Sequence, residues 1–101
     1  ISALLDLYGA ALSERQRDVL ELYYNDDLSL AEIAEDTGIT RQGVRDAIVK
    51  GEKELTAWEE KLGFLARTGR IRAVAESIAA EASMAGNKAI CDLSARLLGE
   101  I

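Results

Sequence analysis

SLAEIAEDTGITRQGVRDAIVK, residues 29–50, is the stretch on which the reading of this chain turns. It reads as a short helix over about residues 30–37, a tight turn Gly38-Ile39-Thr40, and a second helix opening at Arg41. A turn of this kind sets two helices at a steep angle and leaves the start of the second exposed. Counted from Leu30, apolar residues stand at the fourth, tenth and fifteenth places (Ile33, Ile39 and Val44). The fifth place holds Ala34, small where two crossing helices must come close. The ninth holds Gly38, which can adopt the left-handed backbone that ends a helix. Ser29 with Glu32 three residues on has the form of a capping box, and Thr40 is placed to cap the second helix. The pattern specifies the helix-turn-helix scaffold more strongly than it specifies a ligand.

Working towards the N-terminus, residues 1–12 carry Leu4, Leu5, Leu7, Tyr8 and Leu12, a helical spacing interrupted by Gly9, which weakens a helix interior. Ser13 with Gln16 caps a further helix that runs to about Asn25, with Val19, Leu20, Leu22 and Tyr23 as its expected buried stripe. Asn25-Asp26-Asp27 reads as a polar turn. Towards the C-terminus, Leu55, Trp58 and Leu62 continue the stripe of the second motif helix up to a stop or bend at Gly63. Another helix is expected over residues 64–85, with Leu65, Ile71, Val74, Ala75, Ile78 and Ala82 as its stripe and Thr68-Gly69 delaying its effective start. After the turn signal Ala85-Gly86-Asn87, a last helix over about residues 88–98 offers Ile90, Leu93, Leu97 and Leu98.

The expected fold class is all-α. A helix-turn-helix domain of three to four helices (winged-helix-like or sigma-region-4-like) occupies residues 1–62, and two C-terminal helices occupy residues 63–101. Each C-terminal helix has one narrow apolar stripe, too little to stand alone, so the two must pack on the motif domain, on each other or on another copy of the chain. A homodimer through this tail is expected, as helix-turn-helix proteins often pair to meet successive half-sites.

The 101 residues are 49% hydrophobic, with no proline, and suit one packed helical globule. The chain starts at Ile1 rather than Met, and a few native residues are expected ahead of it. No apolar run approaches the roughly 20 residues of a membrane span, and no stretch reads as a secretory signal. The net charge of −6 argues against a protein that coats nucleic acid indiscriminately. Its distribution is uneven: residues 1–40 carry −7, residues 41–53 carry +2, and residues 54–101 carry −1. Of these three blocks, the positive one opens the second motif helix. Arg41, Gln42 and Arg45 at its start are therefore the candidates to reach base edges or phosphates, since arginine can bond guanine bidentately and glutamine adenine. Thr40 is first a cap and next a phosphate contact at a helix N-terminus. Lys50 and Lys53 are further phosphate contacts. Arg15 and Arg17 read as surface charges among Glu14, Asp18 and Glu21, and Tyr8, Tyr23, Tyr24 and Trp58 as core or interface aromatics.

Other chemistries find little support. There is no histidine, so neither the commonest general base nor the commonest metal ligand is available. Cys91 is the single cysteine and reads as a small buried hydrophobe, with no intramolecular disulfide, which fits a reducing cytoplasm. Asp26 and Asp27 lack further carboxylates at ligand spacing and read as a turn rather than a metal site. No glycine-rich phosphate loop, nucleophile-base pair or cofactor motif can be placed, so an enzyme is not expected. The rival to a DNA reader is an adaptor that reuses the scaffold for protein or RNA contacts, which the acidic N-terminal half would favour.

With these residues in view, the run from residue 4 to residue 63, LLDLYGAALSERQRDVLELYYNDDLSLAEIAEDTGITRQGVRDAIVKGEKELTAWEEKLG, closely resembles the YlxM family. These are small bacterial helix-turn-helix proteins, often encoded beside the GTPase of the signal recognition particle. LELYYNDD at residues 20–27 and TRQGVRD at residues 40–46 are the most specific blocks. The same run is similar to the promoter-reading fourth region of sigma factors. The resemblance covers about three fifths of the chain, and the tail from Phe64 follows it only loosely, with fewer lysines. It implies a cytoplasmic DNA-binding or regulatory protein, and a role in transcription regulation is the expectation. It also implies a link to signal recognition particle components, one that rests on gene neighbourhood and not on these residues.

Overall fold

The computed structural model describes residues 1–101, in which six α-helices follow one another and no strand occurs. They are α1 (Ser2–Tyr8), α2 (Glu14–Tyr24), α3 (Leu30–Thr37), α4 (Arg41–Leu62), α5 (Phe64–Met84) and α6 (Lys88–Gly99). They divide into two compact units, Ile1–Gly63 and Phe64–Ile101.

In the first unit α1, α2 and α3 all pack on α4. α1 is shorter than its spacing suggests. At Gly9–Ala11 the chain tightens into a 3-10 turn, closed where Leu12 N–H donates to the Gly9 carbonyl at 3.1 Å. Ser13 then starts α2, its hydroxyl accepting the Gln16 N–H at 3.2 Å. After α2 the chain turns at Asn25–Asp27, and Asp27 is the one non-glycine residue with positive φ, 55°. Leu5, Tyr8, Leu12, Val19, Leu20, Ile33, Val44, Ile48 and Leu55 form a single core. Val19, Leu20, Ile33, Val44 and Leu55 are fully buried, each contributing about 1.5–3 kcal/mol by transfer from water. Tyr23, expected in the buried stripe of α2, stands exposed. It lies one turn beyond Val19, at the rim of the core, edge-on to Tyr24 with ring centroids 5.0 Å apart. Trp58, on the α4 stripe, is also exposed.

α2 and α4 approach so closely that one crossing point has no room for a side chain. A Cβ at Gly51 would lie 2.5 Å from Cδ1 of the buried Leu20. Two tyrosines also hold α4. Tyr8 of α1 donates its hydroxyl to Glu59 at 2.7 Å, and Tyr24 of α2 donates to Glu52. Burial, reinforced by the Glu52 carboxylate, pushes the Tyr24 phenol up to about 12. α4 ends at Gly63, left-handed at φ 63°, whose N–H donates to Glu59 O at 2.7 Å.

The second unit is a helical hairpin. α5 begins at Phe64 and runs unbroken through Thr68 and Gly69, so these residues do not delay it. Gly69 has open space around it and costs the helix only its intrinsic flexibility. At the turn Gly86 is left-handed (φ 68°) and Asn87 N–H closes back on Ala82 O at 2.8 Å. Asn87 also caps α6, its side-chain oxygen accepting the Ile90 N–H at 3.2 Å. The helices meet through small residues. Ala75, Ala82 and Ser94 are the buried ones, and the half-buried Cys91 sets its Sγ 4.0 Å from the Ala79 carbonyl. Of the expected α5 stripe, only the two alanines are buried. Ile71, Val74 and Ile78 are exposed, as are Ile90, Leu93 and Leu97 on α6.

Candidate nucleic-acid interface

The site rests on how α3 ends and α4 begins. Ser29 Oγ accepts the Glu32 N–H and the Glu32 carboxylate accepts the Ser29 N–H, both at 3.1 Å. These two hydrogen bonds complete the capping box and hold the exposed Glu32 carboxyl below its ordinary value. At the other end of α3, Thr37 donates its hydroxyl to Ile33 O at 2.7 Å. Gly38 is left-handed at φ 75°, and its N–H donates to Ala34 O at 3.0 Å. The chain therefore reverses within Gly38-Ile39-Thr40. Ile39 packs against the core, and Ile33 and Val44 are sealed inside on either side of the turn. Every position of the sequence pattern thus has the packing role its residue type suggested.

Thr40 opens α4 with its Oγ1 accepting the Gly43 N–H at 3.0 Å. That satisfies one of the donors at the helix start. The N–H groups of Arg41 and Gln42 precede the first intrahelical acceptor and point out of the helix end, and the Thr40 hydroxyl keeps its own proton to donate. Arg41, Gln42, Arg45 and Asp46 are all exposed along the first turns. Gln42 is not free-swinging: its amide donates to Asp46 Oδ1 at 2.9 Å, one helical turn on. The amide oxygen of Gln42 is left to accept from a ligand. Arg41 and Arg45 are four residues apart and share a face, which continues to Val49, 46% exposed. Lys50 and Lys53 are exposed further along α4. The six candidate positions therefore form two groups on one helix: Thr40, Arg41, Gln42 and Arg45 at its start, and the two lysines beyond.

Reading the sequence alone missed the surroundings of Arg45. A cleft of about 170 Å³ beside it is lined by Tyr23, Tyr24, Leu30, Ile48, Val49 and Glu52. The Tyr24–Glu52 hydrogen bond closes one side of it. No local spacing could have announced a pair 28 residues apart. Acidic side chains gather elsewhere on the unit: Asp18, Glu21, Asp26 and Asp36 border a depression between α2 and α3. No group of acidic or cysteine side chains is arranged to hold a metal ion, and no helix is long and apolar enough to cross a membrane.

Comparison with known proteins identifies the same scaffold. The profile of the UPF0122 family, helix-turn-helix proteins described as YlxM / p13 like, matches residues 1–93. A UPF0122 protein of Desulforamulus reducens is 51% identical over 67 residues, covering 66% of this chain and 57% of that protein. One of Clostridium kluyveri is 54% identical over 65 residues, covering 64% and 59%. One of Clostridium perfringens is 41% identical over 87 residues, covering 86% and 78%. The first two matches span about three fifths of those relatives' own length. With the family profile and the motif geometry in agreement, the chain belongs to the UPF0122 family of YlxM / p13-like helix-turn-helix proteins.

Proposed function

We propose that this protein is a sequence-reading, non-catalytic DNA-binding regulator of transcription that lays the N-terminal turns of α4 into the major groove. One observation carries the reading. Residues 41–53, which carry +2 on a chain of net charge −6, coincide with the exposed start of the second helix of a well-formed helix-turn-helix. Arg41, Arg45 and Gln42 take base edges, while Thr40 and the first N–H groups of α4 take a phosphate. Lys50 and Lys53 neutralise flanking phosphates. The working form is a homodimer joined through α5 and α6, so that two copies of α4 reach successive half-sites. The cytoplasm, where its DNA lies, is the expected location.

The test is a binding titration of the whole chain against fragments of its genome at low and physiological salt. Affinity should fall with salt by only a few phosphates' worth, because few cations are offered. Arg41→Ala and Arg45→Ala should each weaken the preferred duplex by about 5- to 100-fold and blur its sequence preference, the loss of one bidentate base contact. Lys50→Ala and Lys53→Ala should weaken all duplexes alike and flatten the salt slope by about one each. If no fragment binds at low salt, the reading is wrong. The exposed carboxylates on α2 and α3 favour a second reading, an adaptor for a basic protein or an RNA–protein assembly, signal recognition particle components among them. In that case the α4 arginine variants would leave partner capture intact.

A further inference from the structure

The apolar side chains of the C-terminal hairpin lie in one place. On one face of α5 and α6, Val74 and Ile78 border a groove with Ile90 towards the turn and with Ile71 and Leu97 towards the free ends. These residues stand 40–60% exposed. Phe64–Ile101 falls below the size, about 40 residues, at which a domain usually holds together without disulfides, metal or oligomerisation. Its interior is two alanines and a serine. A hairpin built this way needs a cover for its outer face.

Charge on the same face points to what that cover is. Arg70 borders the groove at one end and Glu81 at the other, with Val74 and Ile78 between them. Along α5 the residues Arg70, Val74, Ser77 and Glu81 fall on one side of the helix at spacings of four, three and four. Read backwards, that spacing is the same. A copy of α5 turned end for end therefore presents Glu81 to Arg70 and Ser77 to Val74. The face is self-complementary for an antiparallel partner. A parallel partner would oppose Arg70 to Arg70 and Glu81 to Glu81, which is unfavourable at both ends.

We infer that the α5–α6 face is occupied by a second copy of this chain, with the two α5 helices antiparallel and Arg70 of each copy paired with Glu81 of the other. This rests on the dimer reading above and deepens it by naming the surface and its register. A face about 30 Å long and about 20 Å wide gives roughly 1,200 Å² over two copies, and specific stable interfaces begin at about that area. Twofold symmetry closes the contact, because the same patch serves both sides, and the four helices then enclose the isoleucines, leucines and valines as a bundle core.

The experiment is sedimentation equilibrium of the full chain and of R70E, E81R and R70E/E81R, with helix content checked by circular dichroism so that misfolding is not read as dissociation. The wild type should be dimeric at micromolar concentration. Each single reversal creates two like-charged pairs in a symmetric antiparallel dimer and should weaken association about tenfold or more, while the double reversal should return it to within about threefold of wild type. A monomeric wild type overturns the dimer reading itself, with the first unit or another protein then covering the face. A dimeric wild type whose single reversals are silent, or whose double reversal fails to recover, leaves the dimer standing and overturns this register.

Discussion

In residues 1–63 nine large apolar side chains form a buried core, and in residues 64–101 no large apolar side chain is buried. Both regions are helical with apolar stripes of the same period. The first closes because α4 has neighbours on three sides, from α1, α2 and α3, so its stripe of Val44, Ile48 and Leu55 meets Leu5, Leu20 and Ile33. The second has only two helices, which meet through Ala75, Ala82 and Ser94 and leave Val74, Ile78, Leu93 and Leu97 in water. Amphipathicity thus tells which residues share a face. The number of helices available decides whether the face is covered within one chain. α4 is thus fixed from several directions, while the hairpin keeps an uncovered apolar face.

The contrast is broken or sharpened most strongly by one substitution made in both regions. Ile33→Ala removes a fully buried side chain between α3 and α4 and should cost about 2–5 kcal/mol of unfolding free energy. Ile78→Ala removes one that is 43% exposed and, in dilute protein, should cost under about 1 kcal/mol. Urea unfolding of dilute protein measures both. Equal costs would mean that the hairpin face is already covered within the chain.

A smaller effect of opposite sign in the two units is expected at two glycines. In Gly51→Ala the new Cβ meets Cδ1 of the buried Leu20 at 2.5 Å and its Cγ at 3.3 Å, so either Leu20 leaves its rotamer or α2 and α4 separate. A net loss of about 1–2 kcal/mol follows even after the gain in helix propensity. In Gly69→Ala, on α5, nothing lies within 4 Å, and the same change should stabilise by about 0.5–1 kcal/mol. Thermal unfolding of the two variants side by side would show the opposite signs, and a neutral Gly51→Ala would mean that the α2–α4 contact is looser than its geometry.

The features legible in the sequence are those whose causes lie within a few residues of each other. Ser29 and Glu32, Gly38 and Thr40, and the apolar places around them specify the motif locally, and the structure seats each as its chemistry asks. Arg41, Gln42 and Arg45 are exposed polar side chains at the start of the helix whose Val44 and Ile48 are buried. The Gln42–Asp46 bond was within reach too, at the four-residue spacing of a helix face. What escaped depends on distant partners. Tyr23 has the right period for burial but lies where the core ends. Tyr8 and Glu59 are 51 residues apart, and nothing local joins them. The tail's stripe was visible, but its exposure was not, since that depends on how many helices are present to cover it.

The gentlest way to probe the fixing of α4 is through Tyr24. Its phenol is held neutral by burial first and by its hydrogen bond to Glu52 second, with a value raised from 10.0 to about 12. A raised phenol favours the folded state while it remains protonated. Its contribution is therefore fully present below pH 10, declines as pH rises from there, and is gone once pH passes through about 12. Tyr24→Phe removes the hydrogen bond and should cost about 1 kcal/mol at neutral pH. It should also abolish the part of the alkaline loss of stability that falls between those two values. Following phenolate absorbance during titration gives an independent reading: the variant should lose a late-ionising tyrosine that the wild type shows. Should the late part of the titration be the same in the wild type and the variant, the α2–α4 clamp beside Arg45 is not formed in solution. The recognition helix would then be held by α1, α3 and the apolar core without it.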